Sequence, residues 1–167
     1  MKALEADLTH IARALVQQGA LLATAESCTG GLIAGACTDL AGSSAWFDRG
    51  FVTYSNAAKT DMLGVPAALI ATHGAVSEPV ARAMAEGALA HSAARVSIAV
   101  TGVAGPSGGS AEKPVGTVWF GWCVHGRTHS ERRHFDGDRA AVRAQTVAHA
   151  LQQLLRLWGN AAAISKQ

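Results

Sequence analysis

The chain is most constrained by one junction. An apolar run from Ala20 to Ala23 leads into Thr24-Ala25-Glu26-Ser27-Cys28-Thr29-Gly30-Gly31, and a helical pattern, Leu32-Ile33-Ala34-Gly35-Ala36, follows at once. This reads as a buried strand, a tight turn and a helix, which is the unit from which open α/β sheets are built. It sets Ser27 at the carboxyl end of a strand, where such sheets place their ligand crevices. A hydroxyl there faces the positive end of a helix, able to stabilise an oxyanion or bind a phosphate. Gly30 and Gly31 let a substrate approach the backbone. Taken alone, the motif favours a plainer reading, in which Ser27 or Thr29 caps the helix.

The remaining pattern supplies the other elements. Leu4, Leu8, Ile11 and Leu15 recur at helical spacing, with Gly19 at the C-terminal cap position. Strands are expected over Ala20 to Ala25 and Phe47 to Tyr54, the second with a bulge or exposed stretch near Arg49-Gly50. A helix is expected over Thr29 to Leu40, and shorter ones after Ser55 and from Pro66 to about Gly74. Ser77-Glu78-Pro79 starts an Ala-rich helix reaching about Ser92. Val96 to Val100 reads as a buried strand that runs into the glycine-rich loop Thr101 to Gly109. Val115 to Val124 and Thr128 to Phe135 make a hairpin about His125-Gly126-Arg127. Asp138 caps a last helix with Val147, Leu151, Leu154 and Trp158 on its apolar face. Gly159 is expected to end that helix, leaving 160–167 as a frayed tail. The order implies a three-layer α/β/α sandwich with a mixed, mainly parallel sheet and one antiparallel hairpin.

A chain of 167 residues, 49% of them hydrophobic, is most simply one globular domain with a proper core, 1–167. The formal charge is +2 and the cations are dispersed, which argues against a nucleic-acid partner. The Met1 to Gly19 segment is too polar for a signal peptide, and no apolar run approaches a membrane span. Cys28, Cys37 and Cys123 form no C-x-x-C pair, so a reduced cytoplasmic setting without disulfides is expected.

Three polar clusters fall where helices meet strands: Ser27-Cys28-Thr29, Tyr54-Ser55-Asn56 with Lys59, and the 101–109 loop. A serine nucleophile needs a base, and a desolvated lysine can serve. Lys59 stands just over one helical turn beyond Tyr54, so both can face the same end of the sheet. The plainer readings are a solvated lysine and a half-buried strand tyrosine. Cys28 is a rival nucleophile with no evident histidine to activate it. The glycine-rich loop, including Thr101, Gly102 and Gly105, matches neither the Walker pattern nor G-x-G-x-x-G, yet its amides can cradle one phosphate. Arg139 and Arg143 either reach an anionic group or pair with Asp136 and Asp138 on the surface. His125, His129 and His134 alternate faces of a hairpin, so no metal site is expected.

A-E-S-C-T-G-G (25–31), G-S-S-A-W-F-D-R-G-F-V-T-Y-S-N-A-A-K (42–59), H-G-A-V-S-E (73–78), T-G-V-A-G-P-S-G-G (101–109), K-P-V-G-T-V-W (113–119) and F-D-G-D-R-A-A-V-R (135–143) together resemble the CinA C-terminal domain family. The resemblance spans essentially the whole chain and is closest to the family's stand-alone nicotinamide-nucleotide amidohydrolases, which lack the additional N-terminal domain of the larger members. It implies hydrolysis of the carboxamide of nicotinamide mononucleotide (NMN) to nicotinate mononucleotide and ammonia, in pyridine-nucleotide salvage. It also implies a mechanism without metal or cofactor, in which Ser27 attacks, Lys59 is the base and Tyr54 assists. Thr29, Gly30, Gly31, Thr101, Gly102, Gly105 and Arg139 or Arg143 follow as substrate-contact candidates, with the amides opening the second helix as the oxyanion site. A catalytically silent nucleotide-binding or regulatory module, or an amidase for another small anionic substrate, stand as alternatives. Homo-oligomerisation is left open.

Overall fold

The computed structural model describes the backbone of residues 2–165 and the side chains of residues 2–159. In chain order the elements are α1 (Lys2–Gln18), β1 (Leu22–Glu26), α2 (Leu32–Asp39), β2 (Phe47–Val52), α3 (Asn56–Leu63), α4 (Ala67–His73), α5 (Glu78–Ala90), β3 (Val96–Gly102), β4 (Thr117–Val124), β5 (Arg127–His134) and α6 (Arg139–Ser165). A single 3-10 turn, Ser43–Ala45, precedes β2. The sheet order is β2-β1-β3-β4-β5. β1 is parallel to both β2 and β3, whereas β4 is antiparallel to β3 and β5. Four strands therefore run one way and β4 alone runs against them, giving the expected mixed sheet.

Side-chain alternation along the strands builds a core on each face. Leu22, Val96, Ile98, Val100, Val118, Phe120 and Trp122 meet α1, α2 and α6 through Leu8, Ile11, Ile33, Val142, Leu151 and Leu154. Ala23, Ala25, Ala99 and Cys123 meet the α3–α5 layer through Leu63, Ile70, Val80, Met84 and Ala88. The second face is lined by small residues, so α5 sits close to the sheet. A Cβ at Gly121 would lie 2.5 Å from the carbonyl oxygen of Ala81, which leaves no room for a side chain there. On the first face, Trp122 Nε1 donates to Ala150 O at 3.0 Å and stacks on Phe120, fixing α6 across β4.

The connection from β1 through α2 leads to β2 on one side, and α3–α5 then carry the chain back to β3 on the other side of β1. β1 and β3 are thus neighbours whose chains leave in opposite directions along the sheet, β1 towards β2 and β3 towards β4, and a crevice at such a divergence is where open α/β sheets hold ligands. Ser27 N donates to Val100 O at 3.1 Å, joining the two carboxyl ends.

Several boundaries differ from expectation. α2 starts at Leu32, because Gly30 (φ +56°) and Gly31 (φ +104°) hold the left-handed backbone of the turn. β1 and β2 pair with an irregularity, Leu22 opposite Phe47 but Ala23 opposite Arg49, which is the bulge anticipated near Arg49. Ser55 caps α3 by accepting from Ala58 N, and Asp138 caps α6 by accepting from Ala141 N. Ser77 does not cap α5, since its hydroxyl donates to Gly74 O. Gly159 does not end α6, whose backbone continues to Ser165. The last two positions of the tail expected at 160–167 lie outside the described residues. No helix among the described residues is long and apolar enough to cross a membrane.

Candidate active site

Ser27 follows β1 directly, and α3 brings Lys59 against it from the neighbouring strand connection. Lys59 Nζ lies 3.0 Å from Ser27 Oγ, 3.0 Å from Thr53 O and 3.2 Å from Tyr54 O. Lys59 is only 1% exposed and forms no ion pair among the described residues. Burial pushes its ammonium below the ordinary lysine value, against a weaker opposing pull from Cys28. Nζ donates to both carbonyls and approaches Ser27 Oγ, so Lys59 is a buried lysine set against the Ser27 hydroxyl and not a solvated helix residue.

Tyr54 enters differently from expectation. Its side chain is 64% exposed, and its link to Lys59 is the main-chain carbonyl, which also lies 3.5 Å from Ser27 Oγ. Tyr54 is among the residues lining the cleft, and its phenolic hydroxyl makes no hydrogen bond among the described residues. Cys28, the rival thiol, is 5% exposed, and burial together with the nearby Glu26 charge pushes its pKa up to about 11. A thiol held so high offers little thiolate near neutral pH.

Ser27 and Lys59 open on a cleft of about 260 Å³. Thr101, Gly102 and Arg139 also line it, as the sequence suggested, together with Asn56 of the Tyr54-Ser55-Asn56 cluster and with Ala75, Val76 and Ala104, which were not named as contacts. Asn56 carries the informative side chain of that group: a primary amide with no hydrogen-bond partner among the described residues, one residue into α3 and three before Lys59. Thr101 already gives its hydroxyl to Ala75 O at 3.0 Å, so it shapes the wall with that proton engaged.

Five nominated contacts stand behind the wall. Thr29 is fully buried, and its hydroxyl donates to Glu26 Oε1 at 2.5 Å. Gly30 and Gly31 supply turn geometry and do not line the cleft. Gly105 does not line the cleft, and its carbonyl accepts from Arg139 Nη1 at 2.8 Å. Arg143 clamps the nucleophile turn from α6, donating from Nε to Cys28 O at 3.0 Å and from Nη2 to Thr29 O at 3.3 Å. Neither arginine pairs with Asp136 or Asp138.

At the start of α2, where the oxyanion site is expected, two of the amides are already engaged. Glu26 Oε1 accepts from Ile33 N at 2.8 Å and Glu26 Oε2 from Ala34 N at 3.0 Å, so those amides are taken by the protein's own carboxylate. The sequence signal was present, since strand alternation sends Leu22, Thr24 and Glu26 towards the α2 face. A carboxylate there meets a helix N-terminus. Among the described residues, no three His, Cys, Asp or Glu side chains converge as a metal-binding group.

The family model of the CinA C-terminal domain matches residues 5–158. The chain belongs to that family. It is 58% identical to a nicotinamide-nucleotide amidohydrolase PncC of Pseudomonas putida over 89% of this chain and 93% of that protein. Identity to the nicotinamide-nucleotide amidohydrolase PncC of Escherichia coli K12 is 56%, over 87% of this chain and 88% of that protein. A crystal structure of a CinA superfamily protein from Escherichia coli superimposes with a TM-score of 0.89 at 41% identity, covering 92% of this chain and 90% of that one. This CinA C-terminal domain thus has a fold shared with solved members and the cleft described above.

Proposed function

We propose that this chain is a nicotinamide-nucleotide amidohydrolase that releases ammonia from the carboxamide of NMN through an ester on Ser27. The observation that carries the mechanism is the 3.0 Å approach of a buried, carboxylate-free Lys59 to the Ser27 hydroxyl. The names of relatives sharing more than half their residues with this chain support the substrate class.

An amide is a poor electrophile, and acyl transfer through an ester divides one difficult hydrolysis into two easier steps. Neutral Lys59 takes the Ser27 proton as Oγ bonds to the carboxamide carbon, and the carbonyl oxygen becomes an oxyanion. The new ammonium on Lys59 stands beside that charge, and the free Asn56 amide in the cleft is a donor for it. Collapse breaks the C–N bond, the leaving nitrogen takes the proton from Lys59, and ammonia departs. Water then attacks the ester and gives a proton to Lys59. The C–Oγ bond breaks, Ser27 recovers its proton, and nicotinate mononucleotide leaves. Arg139 is the cation at the cleft and the residue that holds the phosphate, remote from the reacting carbon.

The test is ammonia and nicotinate mononucleotide release from NMN, combined with an acid quench and mass measurement of the Ser27 peptide. Equimolar products and an acyl adduct on Ser27 are expected. Absence of ammonia release overturns the reading.

A further inference from the structure

Glu26 has the burial and the bonding of a part in the machinery, yet it does not line the cleft. It is 1% exposed and has no cation partner among the described residues. Three donors converge on its carboxylate: the Thr29 hydroxyl and the amides of Ile33 and Ala34. Three donors thus meet the two carboxyl oxygens at the N-terminal end of α2. Its main-chain carbonyl accepts from Thr53 N at 2.8 Å, and the Thr53 carbonyl in turn receives Lys59 Nζ. One residue thus ties the segment carrying Ser27 to α2 through its side chain and to the Lys59 cradle through its backbone. Arg143 closes the far side by holding the carbonyls of Cys28 and Thr29.

We propose that Glu26 is a positioning residue for the nucleophile: its carboxylate, bonded to Thr29 and to the first turn of α2, fixes the 27–31 turn so that Ser27 Oγ points at Lys59. This inference rests on the reading of Ser27 as nucleophile but not on NMN as its substrate. The same bonds engage the amides of Ile33 and Ala34, so neither of these is free for a substrate anion. Displacement of a reacting group by about 1 Å can cost on the order of 100-fold in rate. Positioning therefore appears in the reactivity of Ser27 itself and not in the capture of substrate.

The experiment measures the rate at which a fluorophosphonate labels Ser27, located by peptide mass, with thermal unfolding recorded on the same samples. Glu26→Gln keeps shape but turns an N–H₂ towards a converging donor, and labelling is expected to slow by about 10- to 100-fold. With NMN, kcat should fall similarly while KM stays within about twofold, the pattern of a lost alignment. Thr29→Val removes one bond, and Thr29→Ser restores it. Labelling should slow several-fold in the first and return to the unmodified rate in the second. Where Glu26→Gln fails to fold, the Thr29 pair decides. Labelling at the unmodified rate in folded Glu26→Gln or in Thr29→Val overturns the proposal, as does unmodified protein that is not labelled at Ser27. Normal labelling of the unmodified protein without NMN turnover, with both variants slowed, supports positioning and overturns only the substrate.

Discussion

Lys59 Nζ and Ser27 Oγ stand 3.0 Å apart at the meeting of two strand ends, and the lysine's other partners are main-chain carbonyls. A nearby carboxylate would have fixed the lysine as an ammonium. Carbonyls satisfy its N–H groups without that charge, which in the proposed mechanism lets a neutral amine take the serine proton.

The nucleophile is tested first. Ser27→Ala should abolish NMN turnover while an equilibrium binding measurement gives nearly unchanged affinity, because the hydroxyl does chemistry and anchors little. Cys28→Ser should keep most activity, since its thiol is buried and held near pKa 11. An inactive thiol variant beside an active Ser27 variant would reverse the assignment.

The base sets the pH dependence. Lys59 is pushed down by burial and, as the proposed base, must be deprotonated to act, so kcat/KM should rise with pH through an apparent pKa below the ordinary lysine value. Lys59→Arg should be inactive, since guanidinium does not give up its proton. The same shift acts on stability. Between the depressed folded value and the ordinary unfolded one, the unfolded chain holds the extra proton, so stability rises with pH across that window. Lys59→Met should remove this contribution from urea unfolding measured over the same range. EDTA should leave turnover unchanged, and chelator inhibition reversed by a divalent metal would overturn the Ser–Lys mechanism.

Much of this arrangement was visible before the fold was known, and the exceptions share a cause. Ser27 and Lys59 could be placed because each lies at a local signal, a strand-to-helix turn and the first turn after an N-cap. Tyr54 was nominated for its phenol, whereas the closest contact it makes is a backbone carbonyl, which side-chain chemistry does not announce. Arg139 and Arg143 are one turn apart on one helix, so periodicity cannot separate them. What separates them is the pair of distant carbonyls they meet, Gly105 O and Cys28 O. That the Ile33 and Ala34 amides are engaged was missed because Glu26 was read as part of a motif and not as the carboxylate that accepts from them.

Tyr54 gives a separable test. Tyr54→Phe keeps the carbonyl on Lys59 and deletes only the phenolic hydroxyl, which has no protein partner among the described residues. A substrate hydrogen bond worth about 1 to 1.5 kcal/mol corresponds to a loss of roughly 10-fold in kcat/KM. The pH profile should keep its midpoint, because the surroundings of Lys59 are unchanged. A shifted midpoint would place the hydroxyl in the proton path.

In the proposed mechanism Arg139 anchors substrate and Arg143 holds the Ser27 turn. Arg139 lines the cleft and uses Nη1 on Gly105 O, while Arg143 spends its guanidinium on Cys28 O and Thr29 O. A charge-assisted contact to phosphate is worth about 1.5 to 3 kcal/mol, so Arg139→Ala should lower kcat/KM for NMN by about 10- to 100-fold. Nicotinamide riboside lacks the phosphate, and the unmodified protein should turn it over much more slowly. Arg139→Ala should then hurt the riboside very little. Arg143→Ala loosens the turn that carries Ser27, so NMN and the riboside should lose activity by a similar factor. Equal penalties from Arg139→Ala on both substrates would make that arginine structural as well. Comparable turnover of riboside and mononucleotide by the unmodified protein would remove the phosphate site from the mechanism.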